Sequence, residues 1–91
     1  MKVEFDSGKD WANLRKHGIS LAAAAEMDFL VAQIIPDDRR DYGEDRLWAV
    51  APIGGRLHVL TFTMRGEVVR AISLRKANDL ERRRYEQRDR R

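Results

Sequence analysis

The side chains in this chain that could carry chemistry are arginines and lysines, with a histidine and a tyrosine among them. In metal-independent RNA cleavage, a base removes the proton of the ribose 2′-hydroxyl, cations stabilise the charge that develops on the phosphate, and an acid protonates the leaving oxygen. Arg, Lys, His, Tyr and Glu are sufficient for these roles. Any basic domain contains these residue types, so their presence permits this chemistry without identifying it.

Several other chemistries lack the residues they require. The chain has no Cys and two well-separated His, so a tetrahedral zinc site would need carboxylates gathered from distant segments. Gly54-Gly55 is not followed by the Lys-Ser/Thr of a phosphate-binding loop, and the sequence has no Gly-x-Ser-x-Gly motif. The sequence therefore predicts no metal and no cofactor.

Positive charge is concentrated in the last third of the chain. The 91 residues carry 18 Lys+Arg against 15 Asp+Glu, and from Arg65 onward there are ten positive charges against five. This excess predicts an anionic partner such as nucleic acid, although a solvated helical tail would show the same pattern. No apolar run is long enough for a membrane span or a signal peptide, so we expect one cytoplasmic domain over residues 1–91 with no membrane contact.

The order of the predicted elements indicates an α+β fold. In sequence they are a strand at 2–5, a helix at 9–17 ended by Gly18, an Ala-rich helix at 21–29, strands at 31–35, 46–51, 57–64 and 67–74, and a helix from the capping box at 78–81 to about Asp89. The last three strands are joined by turns. We therefore expect a small antiparallel sheet, a meander, with two N-terminal helices and one C-terminal helix.

Helical periodicity divides the first helix into an apolar and a polar face. Trp11 and Leu14 share one face, which we expect to pack on the core. The polar face carries Lys9, Asn13, Lys16 and His17. We also expect Trp11 and Trp48 in the core rather than as stacking platforms, and His58 as a buried or semi-buried strand residue.

Arg75, near the end of the last strand, is the candidate phosphate ligand. Strand alternation places it on one face with Ser73 and Ala71, an open surface of small residues. Its planar guanidinium could hold the scissile phosphate through two hydrogen bonds. The structural alternative is that Arg75 only forms an ion pair with Glu81 or Asp79, and the sequence leaves both possibilities open.

His17, Tyr85 and Glu81 are the candidates for proton transfer. His17 lies near the C-terminus of the first helix, where the helix dipole would raise the pKa of its imidazole. Tyr85 follows Glu81 by four residues, so both lie on one helix face. Tyr85 could stack on a base or act as an acid, and Glu81 could act as a base. Alternatively, His17 only caps carbonyl groups and Tyr85 only docks the helix.

Three clusters along the chain form a recognisable pattern. The first is Phe5-Asp6-x-x-Lys9-x-x-x-Asn13-x-x-Lys16-His17-Gly18-Ile19-Ser20. The second is Asp37-Asp38 with Gly43-Glu44-x-Arg46. The third is Arg65, Arg70-x-Ile72-Ser73-x-Arg75-Lys76-Ala77 and Glu81-Arg82-x-x-Tyr85. In this order they resemble the BrnT family, the toxin half of the bacterial BrnT/BrnA type II toxin–antitoxin systems.

The resemblance implies a RelE-like α+β fold and an endoribonuclease that arrests translation. It also implies neutralisation by a co-transcribed BrnA-like antitoxin, through which alone the pair would bind DNA. Catalytic roles would fall to Arg75, His17, Tyr85 and Glu81. RNA-binding roles would fall to Lys9, Asn13, Lys16, Arg65, Arg70, Lys76 and Arg82. The alternative is a non-catalytic module that uses the same basic surface to bind nucleic acid or a protein.

Overall fold

Five strands, two α-helices and two short 3₁₀ helices make up the computed structural model, which describes residues 2–88. They are β1 (Val3–Glu4), α1 (Ser7–His17), 3₁₀ helices at Leu21–Glu26 and Phe29–Val31, β2 (Gln33–Pro36), β3 (Leu47–Ile53), β4 (Arg56–Arg65), β5 (Val68–Lys76) and α2 (Asp79–Arg88). The predicted helix end at Asp89 lies outside the described residues. Within residues 2–88, no helix combines the length and the apolar character needed to cross a membrane.

The sheet has the strand order β1-β5-β4-β3-β2. Antiparallel pairing joins β2 to β3, β3 to β4 and β4 to β5, which confirms the α+β class and the predicted meander. The expectation of a wholly antiparallel sheet is wrong, because β1 pairs with β5 in parallel through Val3–Val69 and Glu4–Arg70. No tight turn connects these two strands, so no hairpin fixes their relative direction.

The Ala-rich segment is a 3₁₀ helix rather than the predicted α-helix, and it ends before Phe29. Side chains at intervals of three residues are buried together here: Leu21 and Ala24 of the helix are 0% exposed, and Met27, directly after it, is 5% exposed. Three residues per turn places these side chains in one line, whereas an α-helix would rotate them apart. The Met27 N–H accordingly donates to the Ala24 carbonyl at 3.2 Å.

Helix α1 packs on the sheet through Asn13, so the prediction that Trp11 and Leu14 face the core is wrong. Trp11 is 62% exposed and Leu14 42%, whereas Asn13 is 5% exposed. The Asn13 amide donates to the Leu74 carbonyl at 2.9 Å and its oxygen accepts from the Leu74 N–H at 2.9 Å. Beyond Arg70, β5 has no further β1 partner, and a carboxamide satisfies edge backbone groups that an apolar side chain would leave unpaired.

A β-bulge in β5 determines which side chains share a face. Ala71 pairs with Phe62 and Ser73 with Thr61, so the intervening Ile72 has no partner in β4. Ala71 therefore lies in the core, contrary to the prediction that it shares a face with Arg75, whereas Ser73 does share that face.

The two faces of the sheet are covered unequally. One face carries the larger core, which packs under the 3₁₀ helices and is built around Leu21, Leu60, Phe62, Val69 and Leu74. The opposite face carries a smaller cluster of Val50, Val59 and Ala77, against which Tyr85 of α2 packs. His58 is 5% exposed, as expected for a buried strand position.

Candidate functional site

A cleft of about 660 Å³ lies on the same face of the sheet as the smaller cluster. Three segments that are distant in sequence surround it. Helix α1 contributes Lys9, Ala12, Asn13, Lys16 and His17; the segment 37–46 before β3 contributes Arg39, Arg40, Tyr42 and Arg46; and the strands contribute Trp48, Thr61, Ile72, Ser73 and Arg75. Trp48, expected in the core, is half-buried and lines this cleft.

The charged side chains that line the cleft are all basic. Two lysines and four arginines reach it together with His17, and of all the Asp and Glu in residues 2–88 none does. Convergent cations without carboxylates produce a positive potential that attracts anions. Elsewhere in this part of the chain, no three His, Asp or Glu side chains gather in a way that could hold a metal ion.

Arg75 lines the cleft and pairs with Glu81, so the ion pair expected as the structural alternative is present, and the phosphate role stays a prediction. Its guanidinium donates to the two Glu81 carboxylate oxygens at 2.7 and 2.8 Å. This hydrogen bonding raises the pKa of Arg75 and lowers the pKa of Glu81. Glu81 also accepts from the Asn78 N–H at 2.9 Å, which confirms the predicted capping box. Glu81 itself does not line the cleft.

His17 has a pKa below its ordinary value, so the expectation that the helix dipole raises it is wrong. The largest cause is partial burial, which disfavours the charged imidazolium, and the positive charges of Lys16 and Arg75 act in the same direction. These effects outweigh the dipole. At neutral pH the imidazole is therefore mainly unprotonated and able to accept a proton.

The sequence did not predict that segment 37–46 lines the cleft, because this segment contains five acidic residues against three arginines. In the fold, all three arginines reach the cleft and none of the five acidic side chains does. The net charge of the segment does not show that its arginines reach the cleft and its acidic side chains do not. The one available signal was the Gly43-Glu44-x-Arg46 match, which marked the segment without assigning it a role.

Only some of the remaining predicted site residues line the cleft. Lys9 and Lys16 line it, and Asn13 does so with its amide engaged by backbone groups. Tyr85 does not line it, and its hydroxyl donates to the Val31 carbonyl at 2.7 Å, docking α2. The predicted RNA contacts outside the cleft are Arg65, Arg70, Lys76 and Arg82, of which Arg70 pairs with Glu4 and Arg82 with Asp79. Their roles remain predictions.

Fold and cleft together define a small α+β domain with a cleft whose charged lining residues are all basic. Residues 5–81, well over half of the 91-residue chain, match the family described as the ribonuclease toxin, BrnT, of type II toxin–antitoxin systems. The chain belongs to this family, which confirms the resemblance seen in the sequence. A search of curated proteins found no match. Every residue that lines the cleft falls within the matched range.

Proposed function

We propose that this chain is an endoribonuclease that cleaves RNA without a metal ion, by attack of a ribose 2′-hydroxyl on the adjacent phosphate. The observation that carries the proposal is the cleft, where six cations and His17 converge without a carboxylate from residues 2–88. Such a set of side chains attracts a phosphodiester. It offers none of the carboxylate oxygens through which proteins usually hold Mg²⁺.

Arg75 is the proposed ligand of the scissile phosphate. Its side chain is 34% exposed, and Glu81 holds the guanidinium through both terminal nitrogens. A cation fixed in place before the reaction stabilises the developing phosphorane charge without a cost of reorganisation. Glu81 thus serves as a positioning residue for Arg75 rather than as the base considered from sequence.

His17 is the proposed general base, because its lowered pKa keeps the imidazole unprotonated at neutral pH. It takes the proton of the 2′-hydroxyl as the 2′-oxygen forms a bond to phosphorus. The bond from phosphorus to the 5′-oxygen breaks, and that oxygen takes up a proton from water. The products carry a 2′,3′-cyclic phosphate and a 5′-hydroxyl.

Tyr85, considered from sequence as an acid or a stacking residue, has a docking role in this proposal. Its ring packs near Val50, Val59 and Ala77, and its hydroxyl is engaged by the Val31 carbonyl. Tyr85→Phe should therefore leave cleavage nearly unchanged and only loosen α2.

Cleavage of an unstructured RNA in the presence of EDTA tests the mechanism. We expect products with 2′,3′-cyclic phosphate ends, and we expect Arg75→Ala to lower kcat by at least about a hundredfold, the scale of losing one preorganised charge stabiliser. Arg56→Ala removes a cation at the exposed β3–β4 turn, outside the cleft, and serves as the matched control through the same purification. Loss of cleavage on chelation, with recovery on adding Mg²⁺, would contradict the mechanism.

One observation favours a second function, non-catalytic RNA binding: both terminal nitrogens of Arg75 are already engaged by Glu81. The two functions differ in how they respond to substitution. An enzyme loses activity in Arg75→Ala while it still binds an RNA that carries 2′-O-methyl groups. A binding protein loses affinity gradually as successive cations are removed.

Membership of a type II toxin–antitoxin family implies an antitoxin partner. Within our proposal, that partner is BrnA-like, acts in the cytoplasm, and alone supplies DNA binding, while the free toxin arrests translation by cutting RNA. The antitoxin would neutralise the toxin by covering the cationic cleft. Titrating antitoxin against a labelled 2′-O-methyl RNA should therefore displace the RNA. A stable ternary complex with unchanged RNA affinity would show that the antitoxin acts elsewhere.

A further inference from the structure

Segment 37–46 forms a wall of the cleft in which arginines lie on aromatic rings. The Arg46 guanidinium carbon lies 4.0 Å from the centre of the Tyr42 ring, and that of Arg40 lies 5.2 Å from it. Arg39 lies in the same way 4.9 Å from the Trp48 ring. All five side chains line the cleft. Alternating cations and aromatic rings are the usual composition of surfaces that bind single-stranded nucleic acid.

Hydrogen bonds hold this wall in one conformation. At its base, the Asp37 N–H donates to the Arg46 carbonyl at 2.9 Å, and the Thr63 hydroxyl donates to the Asp45 carbonyl at 2.7 Å. In its middle, the Gly43 N–H donates to the Asp41 carboxylate at 2.9 Å. The acidic residues of the segment therefore fix its backbone and its arginines while remaining outside the cleft.

Asp37 is the residue that directs Arg39 into the cleft. Its side chain is fully buried and accepts from the Arg39 Nε at 2.8 Å and from the terminal nitrogen at 2.9 Å. Hydrogen bonding to Arg39 lowers the pKa of Asp37 to about 2. Arg39 also lies close enough to Arg75 for its positive charge to oppose the raised pKa of Arg75. Two cations that oppose each other's charge favour the binding of an anion near both.

We infer that this wall, from Arg39 to Trp48, is a subsite for the nucleotide next to the scissile phosphate. The inference rests on the proposed function, because it takes RNA as the ligand. The base stacks on the layer formed by the Tyr42 ring and the guanidinium groups of Arg40 and Arg46 that lie over it. The neighbouring phosphate is held by Arg39 and Arg40. His17 and Arg75 on the opposite side then act on the phosphate that follows.

An abasic scan of a 2′-O-methyl RNA hexanucleotide tests the subsite, since this probe binds but cannot be cleaved. For the unmodified protein, we expect one position at which removing the base weakens binding about tenfold, the scale of losing one base–aromatic stack. In Tyr42→Ala that penalty should vanish, because no ring remains for the base to lose. Fluorescence anisotropy measures both affinities.

Three variants serve as controls for this experiment. Tyr42→Phe keeps the ring and removes only the hydroxyl, so it should retain the abasic penalty. Tyr42→Leu keeps apolar bulk without a stacking face and should lose the penalty, which separates stacking from loop packing. Arg56→Ala should retain it.

The possible results separate this inference from the proposed function. If every abasic penalty is the same in Tyr42→Ala and in the unmodified protein, the subsite is wrong, whether or not the protein cleaves RNA. If the penalty depends on Tyr42 but unmodified RNA is not cut, the subsite stands and the proposed function fails.

Discussion

Replacing Asn13 with Ala should destabilise the fold by about 3 kcal/mol. The Asn13 side chain is nearly fully buried and makes three hydrogen bonds of 2.9 Å, two with Leu74 and one with the Ile19 carbonyl. Each buried hydrogen bond contributes roughly 1 kcal/mol, and a partner left unsatisfied can cost more. Since small domains are stable by only about 5–15 kcal/mol, this loss is large.

Replacing Asn13 with Asp tests the same contacts with almost no change of shape. A carboxylate can accept from the Leu74 N–H, but it would face the Leu74 and Ile19 carbonyls with its negative charge. The pKa of the introduced carboxyl should therefore rise in the folded state. The folded variant then binds more protons than the unfolded chain, so its stability relative to the unmodified protein should fall as pH increases above about 4.

Urea denaturation followed by circular dichroism, at several pH values from 4 to 8, measures both effects. Asn78→Ala is the matched control, because Asn78 is exposed and its side-chain oxygen accepts one bond, from the Glu81 N–H at 2.8 Å. Loss of such a cap costs about 1 kcal/mol. The reasoning is refuted if Asn13→Ala costs no more than Asn78→Ala, or if the stability of Asn13→Asp follows that of the unmodified protein across the pH range.

Three further predictions follow from the electrostatics of the cleft. Because the pKa of Asp37 is lowered from 3.8 to about 2, its pair with Arg39 stabilises the fold above pH 4, and this stabilisation is lost as pH falls toward 2. Since the Arg39 side chain is 60% exposed, the pair contributes little. Asp37→Asn should therefore remove only on the order of 1 kcal/mol of this acid-sensitive stability in urea titrations. The lowered pKa of His17 predicts that kcat/KM rises with pH at a midpoint below 6.5. Lys16→Ala should move this midpoint upward, because the positive charge of Lys16 lowers the pKa of His17. A midpoint that does not move would exclude His17 as the base. Glu81→Gln should lower kcat about tenfold without raising KM, and a rise in KM alone would show that Glu81 does not position Arg75 for the chemical step.

Elements specified by local signals were predictable from the sequence. Asp6 caps α1 by accepting from the Lys9 N–H at 3.0 Å, and Gly18 ends the helix with a φ of 73°. The hairpin between β3 and β4 and the capping box of α2 depend on residues a few positions apart. In each case the determining interaction lies within the segment itself, so the sequence pattern contains it.

Features that depend on tertiary contacts were not predictable. The inward face of α1 is decided by an edge of β5 that needs a carboxamide, and nothing within the helix indicates that Asn13 rather than Trp11 meets the sheet. Ala71 lies in the core because a bulge at Ile72 shifts the alternation of side chains between the two faces of β5. Such a bulge depends on the partner strand as well. The pKa of His17 was misjudged for the same reason, since its largest cause, partial burial, depends on the fold and the opposing charge of Arg75 comes from another element.

Arg39 and Arg75 show why the charge of a segment is a poor guide to its function. Each has a carboxylate bound to its guanidinium through two hydrogen bonds, Asp37 in one case and Glu81 in the other. In a count of charges, each pair sums to zero. The acidic segment and the capping motif therefore give no sign that Arg39 and Arg75 line the cleft. In the proposed function, the carboxylates make the arginines effective, because a guanidinium held in place loses little conformational entropy when a phosphate binds. Acidic residues next to arginine in such a segment therefore do not argue against an anion site.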